Sequence, residues 1–163
     1  TVTVAGVPTQ PPAPESRGVT VERRILNPQG KPVDLAKVRQ NDLLVVIVSG
    51  RAEQPETGTQ AMVVDLLPAG LEIENVRLAD SAQLGNLSWL GELSQAAFVA
   101  ARDDRFEAAV ELTAEKPEFR LVYLARAVNV GSFVLPAPRV AGLDQPALSA
   151  RGPVGTLTVL PRP

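Results

Sequence analysis

The chain has 163 residues with 16 basic and 18 acidic side chains, a net charge of −2 without a block of either sign. This balance argues against a nucleic-acid surface or an anionic-membrane patch, and no apolar run approaches the ~18 residues that a membrane span needs. The absence of cysteine and histidine excludes disulfides, thiol nucleophiles and the commonest general base and metal ligand. Fifteen prolines and twelve glycines favour an all-β chain with many turns.

The N-terminal stretch differs from the rest in composition. Residues 1–4 alternate in polarity and are compatible with a strand, and Pro8–Gly18 contains four prolines, which favours an extended connector. A Pro-x-x-Pro ligand is the functional alternative, but a linker is the commoner use of such a stretch. We therefore interpret residues 1–17 as a strand and linker from a preceding region of a longer chain, and residues 18–163 as one domain.

The next segment predicts an edge strand and then a central one. Val19, Val21 and Ile25 mark a strand that ends in the turn Asn27–Gly30, and residues 31–40 are polar and loop-like. Leu43–Val48 is a run of six apolar residues. Such a run indicates a strand that is covered on both faces, at the centre of a sandwich. A polar hairpin loop is predicted for residues 49–59.

The stretch Val63–Asn75 predicts two strands that meet at a corner. Its apolar first half stops at Pro68, which cannot continue a central strand and suits the second position of a tight turn. Gly70 then falls where a type I turn favours glycine. Residues 71–78 alternate loosely in polarity, as expected of a half-exposed strand.

A short helix over Leu87–Leu93 is predicted next, with Asn86 as its N-cap. Trp89 is the only tryptophan. We interpret it as a core filler or a shield over an open end of the sandwich, in preference to a ligand-binding residue. Residues 95–101 are ambiguous between helix and strand.

The second half of the chain predicts further strands. Phe106–Leu112 and Phe119–Val128 alternate, Ser132–Pro136 follows a turn, and Gly155–Val159 forms a last strand with Leu157 and Val159 inward. Residues 140–151 are interpreted as a loop. The predicted fold class is an all-β, Ig-like antiparallel sandwich with one short helix.

Charged residues within the strands and turns offer little for catalysis. Asp103 and Asp104 lie between two arginines, but neighbouring residues of an extended chain point to opposite faces, so the carboxylates do not converge. Asp65 and Arg126 are expected to bond turn amides or each other, because an unpaired buried charge is costly. We predict no catalytic, cofactor or metal site, and hence no enzyme.

Several stretches together resemble the C-terminal macroglobulin-like domain of bacterial α2-macroglobulins, over about residues 18–159. The stretches are Asp65–Asn75, Ser88–Leu90, Arg102–Phe106, Tyr123–Ala127, Gly131–Pro136 and Ala150–Gly152. The resemblance implies a sandwich of seven to nine strands at the end of a long multidomain protease trap, in the bacterial periplasm or cell envelope. It implies contacts with neighbouring domains of the same chain, target proteases met through the full-length protein, and a link to peptidoglycan-synthesising proteins.

One loop departs from the family pattern. Thioester-bearing members carry a Met-Tyr-x-Pro segment before the last strand, and its tyrosine covers the reactive thioester. The corresponding residues here are Leu143, Asp144, Gln145 and Pro146. An acidic side chain cannot supply the same apolar cover. We therefore expect a parent protein of the thioester-lacking branch, with these four residues as an inter-domain contact. The alternative function is a stand-alone Ig-like adhesion or ligand-binding module.

Overall fold

The computed structural model describes residues 10–55, 58–75 and 87–162. The strands within these ranges are β1 (Glu15–Arg17), β2 (Glu22–Leu26), β3 (Val38–Arg39), β4 (Leu43–Arg51), β5 (Thr59–Leu66), β6 (Leu71–Asn75), β7 (Phe98–Arg102), β8 (Arg105–Leu112), β9 (Glu118–Ala127), β10 (Gly131–Leu135), β11 (Arg139–Gly142), β12 (Ser149–Arg151) and β13 (Gly155–Leu160). A single 3₁₀ turn, Ser88–Leu90, is the helical element of this part of the chain.

The strands form a six-stranded sheet, β1-β12-β11-β5-β8-β7, which packs against a four-stranded sheet, β2-β4-β9-β6, and a three-stranded sheet, β10-β13-β3. Every strand pairing in the described ranges is antiparallel except β13 with β3. This arrangement confirms the predicted all-β sandwich, although the thirteen strands of the described residues exceed the seven to nine that the resemblance implies. No described helix is long and apolar enough to cross a membrane.

Strands β4 and β9 are the centre of the four-stranded sheet, and both faces of each are covered. In β4, Leu44, Val46 and Val48 face the core between the sheets, while Val45 and Ile47 belong to a second cluster on the opposite face. Period-2 alternation thus divides one apolar run between two cores. The prediction that Leu43–Val48 is buried on both faces is confirmed.

The second cluster is covered by the segment that follows residue 86. Leu87 and Leu90 are buried against the outer face of the four-stranded sheet. Trp89 packs beside them, and its Nε1–H donates to the carbonyl of Pro28 at 2.9 Å. A Cβ at Gly30 would lie 2.8 Å from the Trp89 ring, so the turn before β3 is shaped to receive the indole. The prediction that Trp89 is a packing residue is confirmed, but it lies on a sheet face and not over an open end of the sandwich.

The predicted helix is wrong in extent and in its cap. It is one 3₁₀ turn that ends before Gly91, whose φ is 71°, and the N-cap position is Leu87 without a side-chain cap bond. The physical reason is the spacing of Leu87 and Leu90, because a 3₁₀ turn places residues three apart on one side. Asn86 lies outside the described residues.

The corner after β5 moves the chain from the six-stranded to the four-stranded sheet. The Leu71 N–H donates to the Pro68 carbonyl at 3.0 Å, so Pro68 is the first residue of the turn and not the second, as predicted. The Leu67 N–H donates to the Asp104 carbonyl, so the pairing of β5 with the β7–β8 hairpin continues to Leu67, and the turn begins at the next residue. Gly70 is needed for packing, since a Cβ there would lie 2.6 Å from the Phe133 ring.

Two predicted loops contain short strands. Residues 31–40 include β3, where Val38 is buried, and residues 140–151 include part of β11 and all of β12. The ambiguous stretch 95–101 enters β7 at Phe98. At the N-terminus, β1 pairs with β12, while the predicted strand at residues 1–4 and the continuation of β6 to Leu78 lie outside the described residues.

Candidate functional site

The most buried charged group described is the carboxylate of Asp65, in β5. One Asp65 oxygen accepts a bond from Arg23 Nη1 at 2.6 Å, and the other accepts the Tyr123 hydroxyl at 2.8 Å. Asp65 is fully buried and the Arg23 side chain is only 7% exposed. Because β2 and β9 belong to the four-stranded sheet, this cluster joins the two layers of the sandwich. Phe106 of β8 stacks on Tyr123 with ring centroids 4.7 Å apart.

The electrostatics of this cluster favour a structural role. Burial raises the pKa of Asp65 against the opposing effects of Arg23 and Tyr123. Burial and the Asp65 charge raise the pKa of Tyr123 well above its ordinary value. Arg23 and Tyr123 both donate to the buried Asp65 carboxylate, so neither oxygen is presented to a substrate. A buried network that links the two sheets fixes their relative position.

The expected pairing of Asp65 with turn amides or Arg126 is wrong. Arg126 lies on the other face of β9, where it forms a two-point bond to Glu74 at 2.6 and 3.0 Å and donates to the Asn41 carbonyl. The true partner of Asp65, Arg23, lies 42 residues earlier in the chain. The sequence does contain a signal for this pairing, because Arg23 lies in a strand whose other inward positions are apolar.

Asp103 and Asp104 occupy the turn between β7 and β8, and both are exposed. Asp104 binds the Arg105 guanidinium at 2.8 and 3.0 Å, and this contact lowers the pKa of Asp104. The two carboxylates line an open cleft of about 770 Å³ beside the Pro68 corner. Asp104 is thus ion-paired with its neighbour in the chain. In residues 10–55, 58–75 and 87–162, no three acidic side chains are arranged to hold a metal ion.

The predicted contact loop, Leu143–Pro146, connects β11 to β12. The Leu143 N–H donates to the Gln60 carbonyl of β5 at 2.8 Å, and the Leu148 N–H donates to the Gln145 carbonyl at 2.9 Å. A Cβ at Gly142 would lie 2.6 Å from the Gln145 oxygen, so glycine allows the loop to close. Within this tight connection Leu143 is 50% exposed.

Comparison with known proteins identifies the family. Residues 18–146 match the family model described as "Bacterial Alpha-2-macroglobulin MG10 domain". The chain belongs to this family. It is 37% identical to the alpha-2-macroglobulin of Escherichia coli K12 over 166 residues, and 35% identical to that of Xylella fastidiosa 9a5c over 163 residues. In both cases the match covers 96% of this chain and 10% of the relative.

Solved structures agree with the sequence matches. A mutant of Salmonella alpha-2-macroglobulin superposes with a TM-score of 0.83 at 38% identity, covering 96% of this chain and 10% of that one. The native conformation of E. coli alpha-2-macroglobulin gives a TM-score of 0.81 at 36% identity, covering 97% and 10%. The 163 residues therefore correspond to one domain, about a tenth of the length of these relatives.

Proposed function

We propose that this domain is a non-catalytic structural part of a long alpha-2-macroglobulin that traps proteases, and that its Leu143–Pro146 loop contacts a neighbouring domain of the same polypeptide. The observation that carries the proposal is the match of nearly the whole chain to one tenth of proteins of this kind. One such relative, from E. coli, is described as activated by porcine elastase.

The internal geometry supports a non-catalytic role. The buried carboxylate Asp65 is occupied by Arg23 and Tyr123, and the exposed Asp104 is bonded to Arg105. A domain with these features holds its shape and presents surfaces to its neighbours. The periplasm or cell envelope is the proposed location, where a protease trap meets foreign proteases.

The loop also bears on the chemistry of the parent protein. Asp144 is exposed and Leu143 half-exposed at the tip between β11 and β12, in place of the aromatic cover described above. We propose that the parent belongs to the thioester-lacking branch. Treating the parent with methylamine is expected to release no thiol, and a thiol appearing in step with amine uptake would refute the assignment.

The trap itself is tested with the parent polypeptide and trypsin. A trap encloses its protease, so hydrolysis of casein should fall while hydrolysis of a small chromogenic peptide continues. Unchanged casein hydrolysis would contradict the proposed function. Replacing Leu143–Pro146 by Gly-Ser-Gly-Ser is expected to loosen the untreated parent, seen as slower migration on a native gel. The same replacement at residues 113–116, in the β8–β9 turn, serves as the control.

A further inference from the structure

The outer face of the six-stranded sheet carries an apolar row that crosses four strands. Cross-strand pairing places Ala141 beside Met62, Met62 beside Ala109, and Ala109 beside Phe98. With strands about 4.8 Å apart, this row is roughly 14 Å long. Phe98 at its end is 49% exposed. We call these four residues the outer row.

The composition of β5 shows that the row is part of a wider surface. Strands with one solvated face usually present polar side chains there. On the outer face β5 instead presents Met62, Val64 and Leu66, all partly exposed, and only Gln60 is polar. On the neighbouring strand β8, Arg105 and Glu107 lie opposite Leu66 and Val64, so the apolar side chains have a charged border. An exposed apolar surface with a polar rim is typical of a contact site.

The row next to the outer row carries two arginines and two glutamates, and of these only Arg139 lacks a salt bridge in the described residues. Arg139 of β11 stands directly opposite Arg151 of β12, and like charges in register repel. Arg151 contacts Glu15 and the Ala13 carbonyl, but within the described ranges Arg139 forms no salt bridge. On its other side Arg139 is opposite Val64. The surface is therefore complementary to an apolar patch with a carboxylate beside it.

The outer row also adjoins the proposed contact loop. Arg139 and Ala141 alternate outward along β11, and Leu143 continues this alternation because its N–H is bonded to Gln60 of β5. The half-exposed Leu143 thus extends the row toward the loop tip. One neighbouring surface placed on the loop would reach Ala141 and Met62 as well.

We infer that a neighbouring domain of the same polypeptide covers the outer row, placing apolar side chains over it and a carboxylate beside Arg139. The inference rests on the proposed function, since it identifies the occupant from the tenfold greater length of the relatives, which leaves ample chain to supply such a domain. It goes further in extending the contact from the loop to the outer row and in stating the chemistry of the covering surface.

Single cysteines test the inference cleanly, because the chain has none of its own. Ala109→Cys and Ala141→Cys probe the outer row, Leu143→Cys probes the loop, and Lys37→Cys is the exposed control. Alkylation rates are measured by mass spectrometry of the peptide that carries each site, in the 163-residue domain and in the parent polypeptide. In the parent, the two row sites should react at least about tenfold more slowly, because the core of an interface excludes water, while Lys37→Cys reacts equally in both.

The outcomes separate the inference from the proposed function. Protection of Leu143→Cys without protection of the row sites overturns the inference and leaves the proposed loop contact intact. Equal rates in both proteins at all three sites overturn both. A rate at Ala109→Cys that falls with the concentration of the isolated domain would assign the row to a second copy of the chain, which also overturns the inference.

The charge is tested by reversing it. Arg139→Glu in the parent should raise the alkylation rate at Ala109→Cys by about tenfold, because like charges across an interface repel. Arg24→Glu, on the exposed side of β2, is the matched control and should leave the rate unchanged. An unchanged rate with Arg139→Glu would contradict the proposed carboxylate.

Discussion

The outer faces of the two main sheets differ in whether the described part of the chain covers them. The four-stranded sheet is covered by its own chain, because Leu87 and Leu90 lie over Val45 and Ile47 and complete a second core. The six-stranded sheet presents the outer row without a cover from the described part of the chain. One sandwich thus supplies a cover for one face and leaves an apolar surface on the other.

This difference separates residues that stabilise the domain from residues that serve its surroundings. Truncating a side chain of the second core, on the outer face of the four-stranded sheet, should destabilise the isolated domain. Truncating one in the outer row should matter only where another domain is present. The buried Asp65 cluster, which connects the two sheets, must stay intact for either face to keep its shape. The predictions below follow from that division.

The largest effect on stability is expected at the Asp65 cluster. Asp65→Leu leaves the Arg23 guanidinium and the Tyr123 hydroxyl buried without a partner, and should lower the free energy of unfolding by about 3–5 kcal/mol in urea denaturation. Asp65→Asn retains an oxygen for Arg23 and should cost less than half as much. Equal losses of stability for the two variants would show that charge, and not hydrogen bonding, stabilises the Asp65 cluster.

The next largest effect is expected at Leu90, in the segment that covers the outer face of the four-stranded sheet. Leu90 is buried, so Leu90→Ala should lower the free energy of unfolding of the isolated domain by about 3 kcal/mol through lost burial and the cavity left behind. Thermal or urea unfolding measures the change. A loss below 1 kcal/mol, by the same principle, would mean that the segment is only loosely attached to the sheet.

The Asp65 cluster should also make stability depend on pH, with an effect of intermediate size. The raised pKa of Asp65 means that the folded state binds its proton more tightly than the unfolded state does, so this contribution to stability is present in acid and lost as the pH rises through the raised pKa. Relative to Asp65→Asn, the wild type should therefore gain stability as the pH falls from 7 toward 3.8, the ordinary value. Each unit of pKa difference corresponds to about 1.4 kcal/mol. A relative loss in acid would reverse the sign of the assigned shift.

The smallest effect is expected in the outer row. Phe98 is half-exposed, and Phe98→Ala should change the free energy of unfolding of the isolated domain by no more than about 0.5 kcal/mol. Compared with Leu90→Ala under the same conditions, it measures the contrast between the two faces directly. A loss as large as that of Leu90→Ala would abolish the distinction.

The sequence predicted the central strands because their signal is local. Six successive apolar residues at Leu43–Val48 cannot all face one side of a sheet, so two covered faces follow from the period of a strand. The alternation of Phe106–Leu112 is equally direct, and its inward positions are buried as expected. Family resemblance added the identity, which no strand pattern contains.

The errors arose where distant parts of the chain decide the structure. Strand pairing continues to Leu67, whose N–H donates to the Asp104 carbonyl far along the chain, and the turn begins only at Pro68. Asp65 is paired with Arg23 on the other sheet, which alternation alone does not indicate. Strands β3 and β12 have two and three residues, too few to show a period. The outer row becomes visible only when four strands are placed in register.

The contact of the Leu143–Pro146 loop with a neighbouring domain is the central claim, and one rate tests it most directly. Cysteine at position 143 is alkylated in the isolated 163-residue domain and in the parent polypeptide. The half-exposed position predicts ready alkylation in the domain and a rate at least about tenfold lower in the parent, where the contact excludes water and reagent. Equal rates in the two proteins would contradict the account.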